Sequence, residues 1–162
     1  MIRAAFTLLM LVGFVQSATA ETKNVTATET PWTVACQAAS ADGKIACEMT
    51  KELRTFNPAS LVAQLSVLTT AEGQSMRVIV PHHLAITEGI ELLIDDKDAG
   101  RKQFTTSVPA GIVALFALDE STLDAARAGE KLKIAAKLRT GQDFSIIISL
   151  AGFSAALDKL LQ

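Results

Sequence analysis

Cys36 and Cys47 are the only thiols in a chain of 162 residues. Ten residues separate them, among them Asp42-Gly43, a dipeptide that favours a tight turn. A thioredoxin-type pair would need C-x-x-C spacing, and a zinc site would need further ligands nearby; neither accompanies these cysteines. The pairing left is a disulfide across the two arms of a hairpin. A ring of this size stabilises by about 3 kcal/mol on the loop-entropy estimate.

Other chemistry-bearing residues read as structure. His82-His83 follow Pro81 directly. Neighbouring strand residues point to opposite faces, so the two rings are poorly placed for one metal and read as a surface loop. Asp95-Asp96-Lys97-Asp98 offers carboxylates but lacks the glycine and distal glutamate of a calcium loop, and reads as a solvated turn. Ala99-Gly100-Arg101-Lys102 lacks the spacing of a phosphate loop. No G-x-S-x-G is present, and Ser154 reads as the cap of a last helix rather than a nucleophile. Catalytic residues, metal ligands and cofactors are therefore expected to be none. Lys131, Lys133, Lys137 and Arg139 alternate with apolar residues and form a basic strand face. Such a face suits an anionic surface, or simply discourages edge aggregation.

The N-terminus carries an address. Arg3 precedes Ala4–Val15, an uncharged and largely apolar run. Ala18-Thr19-Ala20 then has the small-x-small form of a signal peptidase site. Residues 1–20 are read as a signal peptide cleaved after Ala20, with Ala18 and Ala20 as the recognised positions. The apolar run is too short for a membrane span, and no stable span is expected after cleavage. Cleavage removes Arg3 and makes the chain more acidic than the −2 of the full sequence. An acidic chain lacks the general basic footprint of a nucleic-acid binder. Export also gives the cysteines an oxidising compartment.

The elements that must position these residues are mostly strands. Residues 21–31 are polar and Thr-rich and read as a flexible lead-in to a single domain over 32–162. Strands are expected at Trp32–Gln37, Lys44–Met49, Leu61–Leu68, Gln74–Val80, Ile90–Ile94 and Gly111–Leu118. The clearest are Lys131–Arg139 and Asp143–Leu150, which hold period two on either side of Thr140-Gly141-Gln142 and form a hairpin. Two short helices follow from a Ser121-x-x-Asp124 cap ended by Gly129, and from apolar spacing over Ser154–Leu161. All four prolines (Pro31, Pro58, Pro81, Pro109) fall at boundaries. The fold class is all-β, mainly an antiparallel β-sandwich, with two short helices. Trp32, the only tryptophan, is expected to pack on the disulfide.

Taken in order, Trp32-Thr33-Val34-Ala35-Cys36, Cys47, the strand Met76–Pro81, Gly89–Asp95 and the closing Ser149-Leu150-Ala151-Gly152-Phe153-Ser154-Ala155-Ala156-Leu157 resemble the invasion-associated locus B (IalB) family of exported bacterial proteins. The resemblance runs from Trp32 to Leu157. It implies a β-sandwich, a periplasmic or secreted location in a Gram-negative bacterium, and no assigned catalytic residue. It also implies a second cysteine pair where this chain has Ser107 and Ile112, so that bridge is lost. The expected function is a non-enzymatic envelope or secreted protein acting through an unknown envelope or host protein. The alternative is a periplasmic carrier of a small ligand or lipid, with Ala110, Ala114 and Ala117 leaving room between the sheets. A hydrolase ranks third, for want of a clustered nucleophile and base.

Overall fold

The computed structural model describes residues 27–38, 45–56 and 60–162. The elements are β1 (Ala27–Glu29), β2 (Thr33–Ala38), β3 (Ile45–Thr55), β4 (Leu61–Thr70), β5 (Gly73–Val80), β6 (Ile90–Ile94), β7 (Lys97–Lys102), β8 (Thr106–Val108), β9 (Gly111–Leu118), α1 (Glu120–Ala128), β10 (Lys131–Lys137), β11 (Asp143–Ser149) and α2 (Phe153–Leu160). They form two antiparallel sheets. One runs β1-β3-β4-β5-β9-β8, with β2 also paired to β3; the other runs β11-β10-β6-β7. Their facing sides share one apolar core, the sandwich that period two demands.

The alternation is easiest to see where it closes the core. Leu132 and Ile134 of β10 are buried between Ile94 and Leu92 of β6 and Ile148 and Ile146 of β11. Against them stand Leu65, Val78 and Ala114, cross-strand partners on the larger sheet and each fully buried. α2 presents Phe153, Ala156, Leu157 and Leu160 to the same core, the i, i+3, i+4, i+7 stripe of an amphipathic helix. Gly152, at φ 83°, makes the sharp entry into it.

One position breaks the apolar rule. Lys51 lies between Met49 and Leu53 on the core face of β3 and is 5% exposed. Its ammonium meets Glu29 of β1 at 3.0 Å and lies 5.8 Å from the centre of the Trp32 ring. Trp32 in turn meets Phe153 edge-on, with ring centres 5.3 Å apart. Both Glu29 carboxylate oxygens accept from the Ser149 N–H of β11, at 3.1 Å. Glu29 thus joins three strands from both sheets. β1 and β2 lie end to end along β3 because Pro31 has no N–H to continue the ladder. Thr30 fills the break: its N–H donates to Glu52 O, and its hydroxyl accepts from Glu52 N at 2.9 Å.

Several expectations are corrected here. The segment 21–31 is not wholly a lead-in, since Ala27–Glu29 is a strand held by its ladder and by Lys51. β7 and β8 were not expected, because neither alternates in hydropathy; β7 is an edge strand and β8 has three residues. The cap of α1 is Asp119 rather than Ser121. The chain turns into the helix directly after β9, so the Asp119 carboxylate reaches Thr122 N at 2.7 Å. Hydrogen bonds from Thr122, and then from Ser121, lower the Asp119 carboxyl below its usual pKa. Ser154 does not cap α2; its hydroxyl donates to Arg127 O and ties the two helices together.

Removing one partner of the Glu29–Lys51 pair tests this junction. Glu29→Ala strands a buried ammonium and leaves the Ser149 N–H without its acceptor, at an expected cost of about 2–4 kcal/mol. Lys51→Met fills the same space without charge and is expected to cost about 1 kcal/mol or less. The double variant should recover part of the Glu29→Ala loss. Urea midpoints measured at unchanged slope give these values; a Glu29→Ala variant no less stable than Lys51→Met would contradict the assignment.

Candidate interaction site

Cys36 and Cys47 are register partners of β2 and β3 and form a disulfide, with an S–S distance of 2.04 Å. Its surroundings give the bridge a second meaning. β3 is paired to β4 only as far as Glu48, which faces Leu68. Beyond that point Cys47, Ala46 and Ile45 pair with β2 alone. The hairpin therefore leaves the β3–β4 ladder as a two-stranded arm, while Thr69 and Thr70 of β4 remain paired with β5. Two strands alone are marginal in water, and the covalent bridge compensates for the missing third. Ile45, on this arm, is 73% exposed. The Asp42-Gly43 turn lies outside the described residues.

The root of the arm is fixed on both faces. On the core side Met49 is fully buried. On the outer side Glu48 accepts from Arg77 Nη2 at 3.0 Å, and the same nitrogen lies 3.4 Å from Ser66 Oγ. Ser66 also meets Thr50 Oγ1 at 3.2 Å. These polar side chains cross β3, β4 and β5 in adjacent register, so the arm stands on a braced base.

The remaining sequence candidates are dispersed. His82 and His83 are exposed, and the His83 ring rests edge-on against Phe144 at 5.8 Å. Asp95 and Asp96 form the β6–β7 turn with φ of 47° and 63°, the left-handed pair that a two-residue hairpin requires. Asp95 is engaged by the chain itself: it accepts from Glu130 N and Lys131 N at 3.0–3.2 Å. Asp98 accepts from Gly100 N at 2.8 Å. A cleft of about 350 Å³ between this turn and α1 is lined by Asp95, Lys97, Ser121 and Thr122. Lys131, Lys133 and Lys137 share the outer face of β10, but Arg139 lies past the strand end. Lys137 is paired with Asp143.

Two expectations fail on geometry. Trp32 packs on Phe153, not on the disulfide; Cys36 lies four residues further along the strand, about 13 Å away. The three alanines do not line a common cavity either. Ala114 is buried in the core, whereas Ala110 and Ala117 are exposed. Sequence reasoning also missed Glu29 and Lys51. The available signal was parity, since Lys51 continues the alternation of Met49 and Leu53.

Comparison with known proteins fits this architecture. The family model described as invasion associated locus B (IalB) protein matches residues 32–161. The chain belongs to the invasion associated locus B family. It is 30% identical over 131 residues to an invasion protein B homolog of Brucella abortus (strain 2308), covering 80% of this chain and 75% of that one. The homolog in B. abortus biovar 1 (strain 9-941) matches equally. The crystal structure of invasion associated protein B from Bartonella henselae superposes with a TM-score of 0.72 at 27% identity, covering 83% of this chain and 92% of that one. All three relatives come from Gram-negative bacteria. Among the described residues no helix is long and apolar enough to cross a membrane. The cleavage positions Ala18 and Ala20 lie outside the described residues.

The register also explains the departure at Ser107 and Ile112. They face each other across β8 and β9, so cysteines at these positions would stand opposite one another. The double variant Ser107→Cys/Ile112→Cys is expected to oxidise to a second disulfide, seen as a mass loss of two hydrogens and no titratable thiol. The ring should contribute about 2 kcal/mol, offset by losing the buried Ile112 side chain at about 1 kcal/mol. Persistent free thiols under oxidising conditions would contradict the register.

Proposed function

We propose that this chain is an exported, non-enzymatic binding protein of the bacterial envelope or its surroundings, with the disulfide-braced arm as its contact surface for an envelope or host protein. The observation that carries the reading is the arm itself. It leaves the β3–β4 ladder, is held by Cys36–Cys47, and exposes Ile45 to solvent. An apolar side chain on a preorganised arm loses little entropy on docking, which favours its use in recognition. The disulfide and the N-terminal address support export. The family description and the names of the Brucella and Bartonella relatives support a role in host-cell contact.

The test is cross-linking in cells. A tagged chain carries a photoreactive residue at position 45, or at Lys97 as a control on the β7 edge. One recurrent protein adduct from position 45, absent from position 97, is expected. Cys36→Ser/Cys47→Ser should lower its yield several-fold, with a stability loss of about 3 kcal/mol. Equal adducts from both positions would contradict the proposal, as would their complete absence. A lipid or small molecule that co-purifies stoichiometrically would favour the carrier alternative.

A further inference from the structure

Among the described residues the smaller sheet leaves one edge unpaired, and its hydrogen bonds define which residues face outward. Leu150 N donates to Glu130 O and Leu138 N to Gln142 O, so even-numbered residues of β11 bond to β10. Odd-numbered residues therefore turn their N–H and C=O groups away from β10. Ser149 shows this directly, because its N–H reaches Glu29 instead. The outward groups of Asp143, Ser145 and Ile147 have no backbone partner among the described residues.

The other edges are protected. β1 and β8 have three residues each. α2 lies against β2. β7 carries a register shift opposite Leu92/Leu93 and the charges Lys97, Asp98, Arg101 and Lys102. Short edges, bulges and charges are how folded proteins block strand addition. β11 has seven residues, an unbroken register and Ile147 at 58% exposure.

We propose that this edge pairs antiparallel with the same edge of a second copy of the chain, forming a two-fold dimer. The inference is independent of the arm's proposed role. Glu29 sets the register. It occupies the Ser149 N–H, so the free ladder ends at Ile147. A two-fold that uses Asp143, Ser145 and Ile147 is centred on Ser145, and each outward pair exchanges two backbone hydrogen bonds. Charge agrees with this register. Asp143 pairs with Lys137 through one oxygen yet keeps an 88% exposed side chain that a second lysine can approach, and Lys133 forms no ion pair among the described residues. Lys133 neighbours Ile147, which would face Asp143 of the second copy. Two strand spacings, about 9.6 Å, then separate Lys133 from that Asp143, within reach of an extended lysine and aspartate. On the core side, half-buried Phe144 would meet Ile146 of the second copy.

Sedimentation equilibrium of the exported chain tests this. The weight-average mass should rise with concentration toward twice the chain mass. Ser145→Pro deletes an N–H that the monomer's own ladder does not use, and should weaken the dimer by at least about tenfold, the effect of losing about 1.4 kcal/mol. Leu161→Ser, at an exposed site on α2's far end, should leave it unchanged. A chain that stays monomeric throughout, or a dimer that survives Ser145→Pro, overturns the proposal. Should Ser145→Pro not fold, Ser145→Cys decides: air oxidation is expected to link two chains, while Lys97→Cys on the β7 edge is not. Equal linkage at both positions also overturns it.

Discussion

A lysine on the core face of a β-sandwich must bring a counter-charge with it. Burying an ammonium without one costs several kcal/mol. In this chain Lys51 imposes that requirement and Glu29 meets it. Much of one end of the molecule follows. β1 has to lie along β3 to deliver the carboxylate, and Pro31 has to break the ladder so that the chain can continue as β2. Trp32 is then placed beside Lys51 and against Phe153, which positions the start of α2. The second role of Glu29, accepting the Ser149 N–H, ties that end to the other sheet.

Two surfaces arise where a strand lacks a neighbour on one side. β3 continues past the end of its pairing with β4, and the disulfide rigidifies the arm that results. β11 runs beside β10 for seven residues and, among the described residues, only Glu29 bonds to its far side, at one end. The first surface is bridged and apolar at Ile45, the features on which the proposed contact with a different protein rests. The second offers backbone groups in a repeating pattern and suits its own copy. Neither requires a reactive group.

The sequence made the regular strands legible wherever one face is buried. Gly111–Leu118 and Ile90–Ile94 were read to the residue, and the β10–β11 hairpin differed only at its ends. In these strands burial alone dictates period two. β7 was illegible because an edge strand such as Lys97-Asp98-Ala99-Gly100-Arg101-Lys102 has no buried face to impose a pattern. The Glu29–Lys51 junction was hidden for a different reason. Each residue looks ordinary in its own segment, and only the fold brings the two charges within 3.0 Å. The cap at Asp119 was displaced by the sharp turn out of β9, which local spacing does not report. The disulfide was legible because two cysteines allow one pairing; the arm's departure was not, since it depends on where the β3–β4 ladder stops.

Glu29 locks the two sheets together through one amide, the Ser149 N–H. Ser149 is on the outward side of an edge strand, where an N–H facing water exchanges with solvent rapidly. Hydrogen exchange of Ser149, measured residue by residue in dilute solution, is therefore the most direct test. Protection of Ser149 close to the global unfolding free energy, far above that of Ser145 on the same edge, is the result the account predicts. A Ser149 amide that exchanges as fast as Ser145 would show that Glu29 does not hold β11, and would contradict it.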